Sequence, residues 1–115
     1  MQTQQPSPQA VDGIFGALAD PTRRYVLEQL SDHPASVTEL ASSVDMALPS
    51  FLQHLKVLEG CGLVSSTKTG RVRTYQLEPQ RLQLAEHWLA QQRSLWERRL
   101  DRLDAYLLTL KDKKP

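Results

Sequence analysis

Apolar residues recur along this chain first at helical and then at strand spacing. Val11, Ile14, Phe15 and Leu18 stand 3, 1 and 3 positions apart and predict one buried face of a first helix over Pro8–Ala19. Asp20-Pro21 ends that helix and opens a second, with Asp20 as N-cap and Pro21 at the first helical position. The second helix, Pro21–Ser31, turns Tyr25, Val26, Leu27 and Leu30 toward a core and is broken at His33-Pro34. Ser36 with Glu39 three residues on is a capping box. It opens a short third helix through Val44, with Leu40, Ala41 and Val44 as the apolar stripe. Asp45-Met46-Ala47 is a tight connection to a fourth helix, which starts at Leu48, admits Pro49 in its first turn and stops at Gly60 and Gly62.

The period then changes. Leu63–Thr67 and Arg71–Leu77 read as strands around a turn at Lys68-Thr69-Gly70, which makes a β-hairpin. Glu78-Pro79 opens a long last helix to Leu110. Within it Leu89, Trp96, Leu103 and Leu110 are seven residues apart, and Leu100 and Leu107 follow Trp96 and Leu103 by four. That 4-3 spacing belongs to a helix lying along another helix. The expected fold class is mainly α with a β-hairpin wing behind a helix-turn-helix. The expected organisation is a disordered leader over 1–8, one domain over 9–110 whose last helix is about 79–110, and a frayed tail over 111–115.

Composition refines this picture in a few places. The chain has 115 residues, 40% hydrophobic and 23% charged, enough for one core but small enough that a partner subunit would help to bury surface. Net charge is only +1, yet it is unevenly placed. Residues 1–47 hold two basic and six acidic side chains, residues 48–77 four and one, and residues 78–115 eight and six. The fourth helix and hairpin are thus the basic part, as a nucleic-acid footprint requires. No run approaches the ~18 apolar residues of a membrane span, and the polar start is no signal peptide, so a soluble, cytoplasmic chain is expected. One cysteine, Cys61, implies no disulfide framework, and its place between glycines suits a buried small hydrophobe. No phosphate-binding loop or nucleophile motif marks an enzyme. His33, His54 and His87 fall in separate elements, and Glu86-His87 has no second histidine at ligand spacing. No metal site and no cofactor are therefore expected.

The chain resembles the ArsR-type winged helix-turn-helix regulators. The stretches that carry the resemblance are Ala17-Leu-Ala-Asp-Pro-Thr-Arg-Arg24, Thr38-Glu-Leu-Ala41, Pro49-Ser-Phe-Leu-Gln-His-Leu-Lys-Val-Leu58, and Gly62-Leu-Val64 leading into Gly70-Arg71. With the terminal helices it covers about residues 9–108. The long last helix, with Trp88, Leu95, Trp96 and its Arg pairs, is similar to the non-metal branch of that family, and the third helix offers Ser42, Ser43, Val44 and Asp45 where thiolate ligands would sit in its metal sensors. The resemblance implies a transcriptional repressor that binds double-stranded DNA at a palindromic operator as a homodimer. The dimer would be built from the first and last helices, with Ile14, Phe15, Leu89, Trp96, Leu100, Leu103 and Leu107 at its interface.

On the fourth helix, Phe51, Leu55 and Leu58 share a core face, while Ser50, Gln53, His54 and Lys56 lie between them. Gln53 suits a bidentate contact to adenine, Ser50 a base edge or phosphate, and Lys56 a phosphate. His54 has two readings, a DNA contact or a packing residue at the helix edge. Leu52 also has two, a thymine-methyl contact or burial by a tilt of the helix. In the wing, Arg71 and Lys68 flank the turn and suit phosphate or a minor groove. Arg73 shares strand parity with Tyr75 and Leu77 and is expected to point partly inward. Two rival readings are a winged-helix module that binds protein, and a regulator responding to an unknown small effector through Cys61 or a pocket between the long helices.

Overall fold

The computed structural model describes residues 8–112 of the chain. Most of the expected leader and the end of the expected tail, residues 1–7 and 113–115, lie outside the described residues. The chain divides into two compact units at Ala85–Glu86. The first holds α1 (Pro8–Leu18), α2 (Pro21–Leu30), β1 (Ala35–Ser36), α3 (Val37–Ala41), α4 (Leu48–Gly60), β2 (Val64–Thr69), β3 (Val72–Leu77), a 3-10 turn at Pro79–Arg81, and the start of α5 (Leu82–Asp112). The mainly helical class with a hairpin is as expected. Pro8 is already helical, and α5 runs through Lys111 and Asp112, where fraying was expected.

The caps are where local chemistry places them. The Asp20 carboxylate accepts from the Arg23 backbone N–H at 3.1 Å and starts α2. Ser36 and Glu39 exchange both hydrogen bonds of a capping box, with the Ser36 N–H donating to Glu39 at 3.1 Å and the Glu39 N–H to Ser36 Oγ at 3.2 Å. That box starts α3 but does not prolong it. The helix ends at Ala41, so six residues rather than three lead to α4.

The sheet has three strands, not two, in the order β1-β3-β2. Ala35 pairs with Tyr75 and Ser36 with Thr74, so the capping residue of α3 also closes a sheet edge. The hairpin turn is tighter than expected: Thr69 pairs with Val72, leaving only Gly70-Arg71 between the strands. Gly70 takes a φ of +62°, open to glycine at no steric cost. Lys68 therefore sits within β2, paired with Arg73, and not in the turn.

The core of this unit joins Ile14 and Ala17 of α1, Val26 and Leu30 of α2, Leu40 of α3, Phe51, Leu55 and Leu58 of α4, Leu63, Val64, Tyr75 and Ala85. Val11, Phe15, Leu18 and Tyr25, expected in it, are half-buried. Ile14 is wholly buried in this core, which corrects its expected place at a dimer interface: it has no exposed surface to offer a partner. Its position on the inner line of α1, with Ala17, is the reason. Cys61 is half-buried rather than buried, and its thiol donates to the Leu58 carbonyl at 3.4 Å.

Two outcomes follow for stability. Leu55→Ala, at a site with no exposure, should cost about 2–5 kcal/mol in urea unfolding, whereas Leu52→Ala, one turn away on the exposed side, should stay within about 0.5 kcal/mol. Glu39 and Glu78 are both held below the ordinary carboxyl value, Glu39 chiefly by the Ser36 N–H and Glu78 chiefly by the Ser65 hydroxyl. A depressed folded value gives stability that is present above the ordinary carboxylate range and lost as pH falls through it. Glu39→Gln should therefore flatten the acid limb of a stability-against-pH curve measured by urea unfolding.

Candidate nucleic-acid interface

Successive residues of a helix turn by 100°, which assigns each residue of α4 a direction. Phe51, Leu55 and Leu58 share the buried side, each at most 1% exposed. Gln53 and Lys56 stand opposite, both exposed. Ser50 and His54 lie along one edge and Leu52 and Glu59 along the other. Ser50 is exposed, and Leu52 is 41% exposed, so the helix is not tilted to bury it. Val57, equally exposed, was not singled out, although its direction on the helix places it on the Ser50 edge and away from the core face. Ala47 gives α4 no side-chain cap, leaving the first N–H groups of the helix without a side-chain partner.

The two edges are tied down differently. On one, His54 is only partly exposed and faces the start of α2. Its Nδ1 lies 3.1 Å from Arg23 Nη1 and 3.7 Å from an Asp20 carboxylate oxygen. The same guanidinium donates from Nε to the Ala17 carbonyl at 2.9 Å and from Nη2 to the Gly16 carbonyl at 3.0 Å. Arg24 donates to the Leu18 carbonyl at 2.6 Å. Two α2 arginines thus serve the last carbonyls of α1, which has no basic residue of its own in that turn. Partial desolvation opposes ionisation of Asp20, but the Arg23 N–H bond, and then the charges of His54 when protonated and of Arg23, outweigh it and lower its carboxyl.

On the other edge, Arg73 donates to Ser66 Oγ at 2.8 Å, and Ser66 Oγ donates to a Glu59 carboxylate oxygen at 2.8 Å. Hairpin and α4 are joined through these three polar side chains. Arg73 is exposed, which corrects the expectation that it points inward: its strand parity matches Tyr75, but it lies toward the hairpin tip, past the core. Arg71 and Lys68 are exposed at and near the tip.

The structure thus groups Ser50, Leu52, Gln53 and Lys56 on the outer side of α4, with His54 drawn to its edge, and gathers Lys68, Arg71 and Arg73 on the hairpin. Asp20, Arg23, Glu59 and Ser66 were missed as members of this surface. Asp20 was legible as a cap, but no local signal links Arg23 to a residue 31 positions away. Among the described residues no three of His, Cys, Asp and Glu come together in a metal-binding group.

From residue 86 onward α5 presents an apolar stripe, with Leu89, Trp96, Leu100, Leu103 and Leu107 each about half exposed. No helix of the described residues is long and apolar enough to cross a membrane.

Residues 20–66 match the signature of a family described as bacterial regulatory protein, arsR family. Among solved structures, the ArsR family transcriptional regulator RHA00566 is 51% identical, over 82% of this chain and 97% of that one, with a TM-score of 0.78. An ArsR-like transcriptional regulator from Rhodococcus sp. RHA1 is 30% identical, over 84% and 92%, with a TM-score of 0.74. Among characterised sequences, the HTH-type transcriptional regulator Rv2034 of Mycobacterium tuberculosis is 44% identical over 59% of this chain and 64% of its own length, so the chain spans just under two thirds of that relative. The transcriptional repressor SdpR of Bacillus subtilis is 28% identical over 69% of this chain and 88% of its own length.

Removing Arg23 strips one hydrogen bond from each of two α1 carbonyls and from His54. Arg23→Ala should lower stability by about 1.5–3 kcal/mol in urea unfolding. Arg73→Ala, which ends an exposed network, should cost less than about 1 kcal/mol in the same assay.

Proposed function

Because the chain belongs to the arsR family of bacterial regulatory proteins, we propose that it is a sequence-specific DNA-binding repressor that acts as a homodimer on a palindromic operator. Its fold is the winged helix-turn-helix of that family. The observation that carries the reading is the outer side of α4, where Ser50, Leu52, Gln53 and Lys56 stand exposed around a core-anchored helix beside a basic hairpin. Gln53 reads an adenine edge, Leu52 meets a thymine methyl group, and Lys56, Lys68, Arg71 and Arg73 bind phosphates or, at the hairpin tip, a minor groove. The uncapped start of α4 adds N–H donors for a phosphate.

The second copy packs along α5. The stripe of Leu89, Trp96, Leu100, Leu103 and Leu107, with half-buried Phe15 of α1, is the proposed interface. Two α4 helices in a dimer meet half-sites about one helical turn apart. The protein works in the cytoplasm, where its operator is, and blocks promoter access.

The test is fluorescence anisotropy with DNA from upstream of the protein's own gene, across a salt series. Binding should be sequence-selective and weaken steeply with salt. Gln53→Ala should cost about 1–3 kcal/mol on the operator and little on unrelated DNA, while Arg71→Ala should lower the salt slope by nearly one per half-site. Leu100→Glu with Leu103→Glu should give monomers in sedimentation and lose operator affinity. Retention of full, sequence-selective binding by Gln53→Ala would contradict the reading of α4, and dimers of the double variant would contradict the α5 interface.

A further inference from the structure

The Arg23–His54 contact settles more than the angle of a helix. An arginine guanidinium carries only donors and stays charged at any ordinary pH. A histidine nitrogen 3.1 Å from Arg23 Nη1 therefore has to be the acceptor, with its lone pair toward the guanidinium. In the neutral ring only one nitrogen carries a proton, so if Nδ1 accepts, Nε2 is N–H. The Asp20 carboxylate, 3.7 Å from the same Nδ1, is beyond hydrogen-bond length and does not compete for a proton there. No buried side-chain nitrogen or oxygen of the described residues lacks a partner, and both contacts of the His54 ring fall on Nδ1. Nε2 has no partner among the described residues and is not wholly buried, which leaves it available to a group from outside the chain.

We propose that Arg23 is a positioning residue that locks His54 in the Nε2–H tautomer, so that the reader helix presents at this edge a fixed hydrogen-bond donor to an acceptor on DNA. This deepens the DNA-binding reading above and rests on it. A histidine free to change tautomer could meet either a donor or an acceptor. Fixed as a donor, it matches guanine O6 or N7, adenine N7, thymine O4 or a phosphate oxygen, and it is mismatched to the amino groups of cytosine and adenine. The role also explains why Arg23 is held on three sides. The bonds to Gly16 and Ala17 anchor the guanidinium, so that an Nη1–H is aimed at one atom of another helix.

Long-range 1H–15N NMR of the full chain at neutral pH reads the tautomer directly. The expected spectrum shows His54 with a protonated Nε2 and an unprotonated Nδ1, and Arg23→Met, which has no donor and is checked as folded by circular dichroism, should give mixed tautomers. A wild-type spectrum with the proton on Nδ1 would overturn the proposal. On DNA, His54→Gln places an amide N–H near the Nε2 position and should bind within about threefold of wild type, while His54→Asn, whose amide reaches only as far as Nδ1, should lose about tenfold per half-site, the value of one hydrogen bond. A loss shared by operator and unrelated DNA assigns the acceptor to a phosphate, and a loss confined to the operator assigns it to a base; either supports a donor. Equal affinity of the Asn and Gln variants would overturn it. Failure of the wild-type chain to bind any DNA selectively, with the Nε2–H tautomer intact, would strike the DNA-binding reading itself and leave the Arg23 lock standing.

Discussion

The arrangement of this surface depends on the Arg23 guanidinium. Four elements of the fold meet in it: the end of α1 needs donors, the start of α2 supplies them, the cap at Asp20 fixes where that start lies, and His54 of α4 receives an Nη1–H. An α-helix leaves its last carbonyls unpaired. Ala17 would face that cost and Gly16 accepts only a 3.3 Å bond from the Ala19 N–H, and a planar, permanently charged fork serves both better than a flexible ammonium would. Once Arg23 is committed to α1, an Nη1–H lies where α4 passes, and the edge of α4 is set by a bond as well as by packing.

Magnitudes separate two tasks. Burial of Phe51, Leu55 and Leu58 is worth about 1.5–3 kcal/mol for each side chain and holds α4 to the core. The hydrophobic driving force is not directional, however. The polar ties at its two edges are weaker but directional. His54 to Arg23 lies partly buried, and Glu59 to Ser66 to Arg73 lies in solvent and counts for less. Together they define which residues stand outermost, and those are Gln53 and Lys56.

Much of the fold could be read locally. Asp20-Pro21, the Ser36–Glu39 box, Pro49 and the two positive-φ glycines, Gly62 and Gly70, each act within a few residues, so the starts of α2, α3 and α4 and the presence of the hairpin were legible. The outer residues of α4 were legible too, because helical period fixes their directions. What was not legible is non-local. β1 is two residues long and exists only because β3 lies beside it. Ile14 has the same spacing as an interface residue and is instead core. His54 had two readings from sequence because its answer sits on Arg23, far away in the chain. Arg73 obeyed strand parity but stands beyond the edge of the core.

The most direct test of this account is a crystal structure of the chain on a duplex that carries its operator. The account predicts α4 in the major groove with Gln53 and Lys56 toward the DNA, His54 Nε2 about 3 Å from a DNA acceptor, and Nδ1 still on Arg23. A complex in which α4 faces away from the duplex, or in which His54 has left Arg23 and meets DNA through Nδ1, would contradict it.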